Sequence, residues 1–129
     1  MNDRARTILL VEDDRFLRRA AEATLRQRGF TVVTAADGEE ALRQAGTEGL
    51  DLILLDLIIP KLQGIEVLRR LKQDARTAPI PVIVLSNLGQ GRDIEQAMEA
   101  GAVAYFIKAN LSLQDLVAEV NKVLADRPA

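Results

Sequence analysis

Six residues able to do chemistry stand where short apolar segments of the sequence end: Glu12, Asp13, Asp14, Asp56, Ser86 and Lys108. Carboxylates that cluster raise one another's pKa unless a cation neutralises them. Mg²⁺ suits such a cluster, because this hard ion is bound by one or two carboxylates, a carbonyl and several waters. A carboxylate beside the ion can attack phosphorus and form an acyl phosphate. These residue types therefore predict phosphoryl transfer that needs no histidine.

The position of each residue suggests its role. Asp56 is the lone acid at the end of the third, central apolar segment, so we expect it to be the nucleophile. Glu12 and Asp13 are adjacent, which makes them better candidates for metal ligands. Lys108 adds a second positive charge, and Ser86 can donate a hydrogen bond to a phosphoryl oxygen.

The sequence contains no histidine and no cysteine. The first absence excludes histidine-based acid–base catalysis, histidine-containing triads and most zinc sites. The second excludes disulfides and thiolate chemistry, and it suits the reducing cytoplasm, where we expect this protein to act. Any chemistry must therefore use carboxylates, hydroxyls, lysine or the backbone.

Charge and hydropathy limit the classes of partner. The net charge is −2, and no basic stripe indicates a nucleic-acid footprint. No apolar run approaches the roughly 20 residues of a spanning helix, and the first residues lack the apolar centre of a secretory signal. We therefore expect no direct nucleic-acid contact and no membrane contact. The 129 residues suit one domain over 1–129, with a core of about 7–125.

Two kinds of segment alternate along the chain. Short apolar runs rich in β-branched residues predict strands buried on both faces. These runs are Ile8–Val11, Val32–Ala35, Leu52–Leu55, Val82–Leu85 and Val103–Ile107. Helical spacing of apolar residues between them predicts helices. The first helical stripe is Leu17, Ala20, Ala21, Thr24 and Leu25, and the others lie within 41–45, 65–72, 94–98 and 116–124.

Capping residues agree with these helices. Asp14 can cap the first helix, and the pairs Asp37 with Glu40 and Ser112 with Asp115 are typical of capping boxes. Five strands alternating with five helices predict an α/β fold with a parallel sheet and helices on both faces. The carboxyl ends of parallel strands lie at one edge of the sheet, where ligands bind. The pattern alone leaves the strand order open.

Five segments resemble, in the same order, the receiver domain of bacterial response regulators, and together they span nearly the whole chain. The first two are Ile8–Asp14 with its acidic pair, and Asp51–Asp56 followed by Pro60 and Gly64. The others are Pro81–Ser86 with its hydroxyl residue, Ala100–Ala102, and Tyr105 three positions before Lys108.

The resemblance implies a single doubly wound, flavodoxin-like sheet in the order 2-1-3-4-5, with five helices on two faces. It implies that Asp56 receives a phosphoryl group from a sensor histidine kinase, a phosphotransfer protein or a small phosphodonor. The Mg²⁺ ligands that it implies are Glu12, Asp13, Asp56 and the backbone carbonyl of Ile58. The domain would catalyse only its own phosphorylation and dephosphorylation.

The resemblance also implies a switch formed by Ser86 and Tyr105. Ser86 would move toward the phosphoryl group, and Tyr105 would rotate into the space that Ser86 leaves. The two glycines of Leu88–Gly91 would let this loop reposition the fourth helix. The implied output surface, for a partner that the sequence does not identify, lies along helix four, strand five and helix five. Its polar residues include Arg92, Glu95, Gln96, Glu99, Gln114 and Lys122.

Several positions depart from the family's pattern. Ala109 replaces the usual proline after the lysine, so we expect a trans peptide bond and an altered loop. Asn87 replaces the usual alanine after the fourth strand and could restrict the approach of a phosphodonor or water. Ile58 and Leu88 are apolar, and they either only pack their loops or shield the phosphoryl group and lengthen its lifetime.

Three other functions stay open. An adaptor with a receiver fold that never turns over phosphate would not need the acids, hydroxyl and lysine together. A phosphatase with an aspartate nucleophile usually carries a second acid two residues later, where this chain has Ile58. A flavin or nucleotide binder of the same architecture would need a glycine-rich phosphate loop after the first strand, where this chain has acids.

Overall fold

The protein, described by a computed structural model over residues 5–47 and 49–126, is built around one parallel sheet. The described residues form the strands β1 (Thr7–Val11), β2 (Thr31–Ala35), β3 (Leu50–Leu55), β4 (Val82–Ser86) and β5 (Ala104–Ile107). The strand order is β2-β1-β3-β4-β5, which confirms the predicted fold class and order. The ends of the predicted domain over 1–129 lie outside the described residues.

Helices follow the strands and cover both faces of the sheet. They are α1 (Arg15–Gln27), α2 (Gly38–Ala45), α3 (Gly64–Gln73), α4 (Gly91–Glu99) and α5 (Leu113–Ala125). Helices α1 and α5 pack on one face, and α2, α3 and α4 pack on the other. A 3₁₀ turn at Lys108–Asn110 follows β5. Within the described ranges, no helix is both long enough and apolar enough to cross a membrane.

Strand β3 forms the centre of both apolar layers. Leu52 and Leu54 pack under α1 and α5, whereas Ile53 and Leu55 pack under α2, α3 and α4. All four side chains are fully buried. Each contributes roughly 1.5–3 kcal/mol by leaving water. The strand therefore gives a rigid base to the residue that follows it.

Only the second half of the apolar stripe predicted for α1 is buried. Leu17 is 49% exposed and Ala20 is also exposed, while Ala21 and Leu25 are buried. The reason is that only the second half of α1 packs against the sheet. Strand β5 begins one residue later than predicted, at Ala104; the preceding Val103 is 37% exposed, and its N–H donates to the Val82 carbonyl at 2.9 Å.

Of the two predicted capping boxes, one is complete and the other is half-formed. Ser112 and Asp115 exchange both hydrogen bonds at the start of α5. At the start of α2, Asp37 accepts from the Glu40 N–H, but the Glu40 carboxylate accepts from the Ala36 N–H instead of from Asp37. Glu40 therefore fixes the end of β2 rather than closing the box.

Candidate functional site

Three carboxylates meet at the carboxyl edge of the sheet. Glu12 and Asp13 follow β1, Asp56 follows β3, and one oxygen from each lies within 4.8 Å of the others. The cluster forms because β1 and β3 pair directly, with Val11 opposite Leu55. Glu12 and Asp56 are buried and Asp13 is exposed. The structure therefore brings together the three side chains predicted to bind metal.

Lys108 places a positive charge inside this cluster. Its Nζ lies 2.6 Å from Glu12 Oε1 and 2.6 Å from Asp56 Oδ2, and its side chain is 18% exposed. One ammonium group does not balance three carboxylates in a half-buried site. Hard oxygen donors with excess negative charge fit a divalent cation such as Mg²⁺.

Burial and the contacts of Lys108 shift the pKa values of two groups at the site. Burial raises the pKa of the Glu12 carboxyl, although hydrogen bonds from Lys108 and the Asp14 N–H act to lower it. Burial acts to lower the pKa of Lys108, but its bonds to Asp56 and Glu12 outweigh burial and raise that pKa. Lys108 is therefore a permanent cation at neutral pH.

The backbone holds Asp56 from both sides. Its N–H donates to the Val11 carbonyl at 3.2 Å, and its Oδ1 accepts from the Ile58 N–H at 3.0 Å. Helix α3 begins so close that a Cβ added to Gly64 would lie 2.4 Å from Leu57 Cα and 2.5 Å from the Asp56 carbonyl oxygen. A side chain at Gly64 would therefore displace the backbone of Asp56 and Leu57. The Ile58 carbonyl as a metal ligand stays a prediction.

Ser86 and Tyr105 both contact the loop that leads to α4. The Ser86 Oγ is fully buried and accepts from the Leu88 N–H at 3.2 Å, while the Tyr105 hydroxyl donates to the Leu88 carbonyl. Burial raises the pKa of Tyr105. Ser86 ends the strand next to β3, so it stands at the same edge as Asp56. The movements predicted for Ser86 and Tyr105 stay predictions.

Asn87 and Ala109, the two residues that follow Ser86 and Lys108 and depart from the family's pattern, contact each other. The Asn87 side-chain oxygen accepts from the Ala109 N–H at 3.1 Å. No cis peptide bond occurs in the described residues, which confirms the trans bond expected before Ala109. Lys108–Asn110 form a 3₁₀ turn, and the altered loop stays a prediction.

Ile58 and Leu88 line one open cavity of about 420 Å³ between the β3–α3 loop and the start of α4. Ile58 is 54% exposed, and Asp93 of α4 lines the same cavity. Leu88 also packs against the core from a partly buried position, whereas Ile58 is an exposed residue of the loop that follows Asp56. Their role in shielding a phosphoryl group stays a prediction.

Arg18 is a site residue that the sequence reasoning missed. Its Nη1 donates to the Glu12 carbonyl at 2.9 Å and to the Asp13 carbonyl at 3.3 Å, which fixes the turn carrying both acids. The only sequence signal is an arginine four positions after the Asp14 cap of α1. An arginine on a helix is usually solvated, so this signal does not identify the contact.

Comparison with known proteins identifies a family. Residues 8–121 match the response regulator receiver domain. The chain is 38% identical over 116 residues to a gliding motility regulatory protein of Myxococcus xanthus, covering 90% of this chain and 15% of that protein. It is 38% identical over 120 residues to the phosphate regulon transcriptional regulatory protein PhoB of Escherichia coli, covering 93% of this chain and 52% of that protein.

Solved structures agree with this match. The chemotaxis protein CheY4 of Vibrio cholerae superimposes with a TM-score of 0.86 and 25% identity, covering 93% of this chain and 99% of that one. The receiver domain of the sensor histidine kinase PA1611 of Pseudomonas aeruginosa, which has magnesium in its active-site cleft, gives a TM-score of 0.83 and 30% identity, covering 92% and 97%. The matched length, the order of the strands and the acidic cluster with its lysine show that this chain belongs to the response regulator receiver domains.

Proposed function

We propose that Asp56 accepts a phosphoryl group in a Mg²⁺-dependent reaction and that phosphorylation changes which partner the domain binds. The observation that carries this proposal is the shared contact of Lys108 with Glu12 and Asp56 inside a three-carboxylate cluster. A carboxylate held beside a cation can act as a nucleophile toward phosphorus. The proposal needs neither histidine nor cysteine in this chain.

The side chains at the site divide the chemistry among them. Glu12, Asp13 and Asp56 would hold the ion together with the Ile58 carbonyl, and bound Mg²⁺ supplies charge neutralisation at the phosphoryl oxygens. An Asp56 carboxylate oxygen forms a bond to phosphorus as the bond from phosphorus to the donor breaks, and the donor keeps that electron pair. Lys108 contributes a fixed positive charge where negative charge accumulates.

The buried hydroxyl of Ser86 can complete the site once the phosphoryl group is present. It would exchange its bond with the Leu88 N–H for one that it donates to a phosphoryl oxygen. Hydrolysis of the acyl phosphate then returns the free Asp56 carboxylate. The domain acts on its own side chain and has no other substrate in this proposal.

The same loop offers a route from the site to an output surface. Leu88 is contacted by both Ser86 and Tyr105, and the loop continues into α4 at Gly91. Helix α4 buries only Ala97 fully, so repositioning this helix disrupts little packing. We propose that the output partner binds along α4, β5 and α5. The exposed polar residues there include Arg92, Glu95, Gln96, Glu99, Gln114 and Lys122.

The exposed apolar residues next to the acids favour a protein as the phosphodonor. Phe16 is 85% exposed in the first turn of α1, and Leu113 at the start of α5 is 38% exposed. Leu113 also lines a small groove that reaches Glu12 and Lys108. A sensor histidine kinase or phosphotransfer protein is the donor that we propose for this surface.

Phe16→Ser should slow transfer from a phosphohistidine protein and leave transfer from acetyl phosphate unchanged. Equal slowing of both reactions would contradict a role of Phe16 in binding the donor protein.

The chain spans 15% to 52% of the two curated relatives described above, so the activity of any whole protein is also a proposal. We propose a cytoplasmic location, supported by the absence of cysteine from the sequence. We propose no nucleic-acid contact by this domain itself, since its net charge is −2.

Intact-mass measurements with acetyl phosphate and Mg²⁺ test the function. The wild type should gain one phosphoryl group per chain, and Asp56→Asn should gain none. An adaptor without phosphate chemistry would show no gain in either protein. A phosphatase would instead hydrolyse a phosphomonoester through many turnovers, and that result would overturn the proposal.

A further inference from the structure

Asn87 and Ala109 connect the two segments that carry the hydroxyl and the lysine of the site. The Asn87 side-chain oxygen accepts from the Ala109 N–H at 3.1 Å, across 22 positions of sequence. Asn87 directly follows Ser86, and Ala109 directly follows Lys108. One contact therefore joins the neighbours of two groups that the proposed chemistry uses.

This contact continues the ladder between β4 and β5 beyond its last pair. The final backbone partners are Ser86 and Ile107. The chain bends at Asn87, and the next N–H, of Leu88, bonds back to Ser86 Oγ. The backbone of β4 has then left the sheet, and the side-chain oxygen of Asn87 supplies an acceptor for the Ala109 N–H, two positions after β5 ends.

The peptide group that donates to Asn87 directly follows the Lys108 Cα, and its carbonyl accepts from the Leu111 N–H at 3.2 Å. It joins Lys108 to Ala109, and Lys108 is the first residue of the 3₁₀ turn. The lysine Nζ makes 2.6 Å contacts with Glu12 and Asp56. Because a long side chain magnifies any rotation of its backbone, a fixed peptide plane limits where Nζ lies.

The two contacting residues are chemically matched. The donor exists because alanine keeps the backbone N–H that proline lacks. The acceptor exists because asparagine carries an amide oxygen, which an apolar side chain at position 87 would not provide. Both residues are exposed, so the contact is not part of the core and contributes little to stability.

We propose that Asn87 is a positioning residue for Lys108 and acts through the Ala109 N–H. This inference rests on the proposed function, because it concerns phosphoryl transfer to Asp56. Asn87 keeps the Lys108–Ala109 peptide in the orientation that pairs the lysine with Asp56, and it links that orientation to the segment that follows Ser86. Loss of the contact should lower the rate of transfer by about three- to tenfold.

Phosphorylation kinetics of Asn87→Ala test the proposal. The maximal rate constant with acetyl phosphate and Mg²⁺ should fall by about three- to tenfold, while the half-saturating acetyl phosphate concentration and the melting temperature stay close to those of the wild type. Asn110→Ala is the matched control, since Asn110 is another exposed asparagine and lies in the 3₁₀ turn itself. This control should keep the wild-type rate.

A second variant shows whether Asn87 acts through the lysine. In a Lys108→Ala background, Asn87→Ala should cause no further loss of rate. The Ala109 amide resonance should also shift in Asn87→Ala, and its hydrogen exchange should become faster. A purely structural role would lower the melting temperature without these effects.

The outcomes separate this inference from the proposed function. The positioning role is overturned if the wild type and Asn87→Ala are phosphorylated at equal rates. It is also overturned if Asn87→Ala lowers the rate by the same factor in the Lys108→Ala background as in the wild type. Failure of the wild type to be phosphorylated at Asp56 overturns the proposed function instead. If Asn87→Ala does not fold, hydrogen exchange of the Ala109 N–H in the wild type tests the contact instead. Exchange as fast as that of an unprotected peptide would contradict the hydrogen bond to Asn87.

Discussion

Lys108 has two effects on the acids that surround it. Its Nζ pairs with Glu12 and Asp56, which keeps two buried carboxylates close together. The same pairs occupy oxygens that a divalent ion would use. An ion that binds at this edge must therefore share these oxygens with the lysine, and the lysine is expected to lower the affinity for the ion while it assists phosphoryl transfer.

Lys108→Met separates these two effects. We expect tighter Mg²⁺ binding, because the oxygens of Glu12 and Asp56 lose their competitor, and slower phosphorylation by at least about tenfold. Calorimetric titration measures the first effect and timed mass spectrometry measures the second. Lys122→Met is the matched control, since Lys122 is exposed on α5. Weaker Mg²⁺ binding in Lys108→Met would contradict this account of competition.

Sequence reasoning predicted the acids, hydroxyl and lysine of the site because each follows a strong apolar strand. Glu12, Asp13 and Asp56 do cluster, and Lys108 does contact Glu12 and Asp56. The contacts of Arg18 and Asn87 were not predicted, since they depend on loop conformations that no periodic pattern records. Residue types at strand ends were thus predictable, and the contacts that orient them were not.

At the scale of elements, the loop before α2 shows how one cap supports a helix near the site. Asp37 Oδ1 accepts from the Glu40 N–H at 2.8 Å. This bond lowers the Asp37 pKa below its ordinary value of 3.8, and burial partly opposes the shift. A carboxyl whose pKa is lower in the folded protein binds fewer protons there than in the unfolded chain.

The sign of the resulting pH dependence follows from that shift. The stability contributed by the Asp37 charge should be fully present above its unfolded pKa and should be lost as the pH falls through its lowered folded pKa. Asp37→Asn keeps an acceptor oxygen but removes this titration, so its stability should fall less steeply in acid. Chemical unfolding of both proteins across the acid range measures the difference. If the stabilities of the two proteins fall in parallel as the pH is lowered, the Asp37 charge does not contribute to the stability of the fold.

Strands were predicted better than helices for a physical reason. A parallel strand is buried on both faces, so its sequence is continuously apolar, and Leu52–Leu55 of β3 shows this clearly. A helix packs only where it crosses the sheet, so Leu17 and Ala20 of α1 follow the helical spacing and are still exposed. Periodicity identified α1 without showing how much of it is buried.

At the scale of the whole molecule, the order of the strands came from the family resemblance and not from the pattern of apolar residues. Alternating strands and helices are compatible with several orders of a parallel sheet. The observed order places β3 between β1 and β4, with β5 next to β4. That order gathers side chains from β1, β3, β4 and β5 at one edge.

Mg²⁺ should stabilise the whole domain, because the acidic cluster exists only in the folded chain. At a free concentration ten times its Kd, the ion should add about 1.4 kcal/mol to the free energy of unfolding. Asp13→Asn should lose most of this gain, since Asp13 is an exposed member of the cluster. Urea unfolding of each protein, once with Mg²⁺ and once with a chelator, measures this gain in the free energy of unfolding.

Asp126→Asn, which changes an exposed acid after the last helix, is the control for the Mg²⁺ effect. Its gain in stability should equal that of the wild type. An equal gain in Asp13→Asn would place the stabilising ion elsewhere.

The most direct test of the central claim is to locate the phosphoryl group on the chain. The protein is incubated with acetyl phosphate and Mg²⁺, the acyl phosphate is reduced with borohydride, and the modified residue is found by peptide mass spectrometry. We predict one modified residue, Asp56, and no modification when a chelator removes Mg²⁺. Modification of another residue, or equal modification without Mg²⁺, would contradict the account.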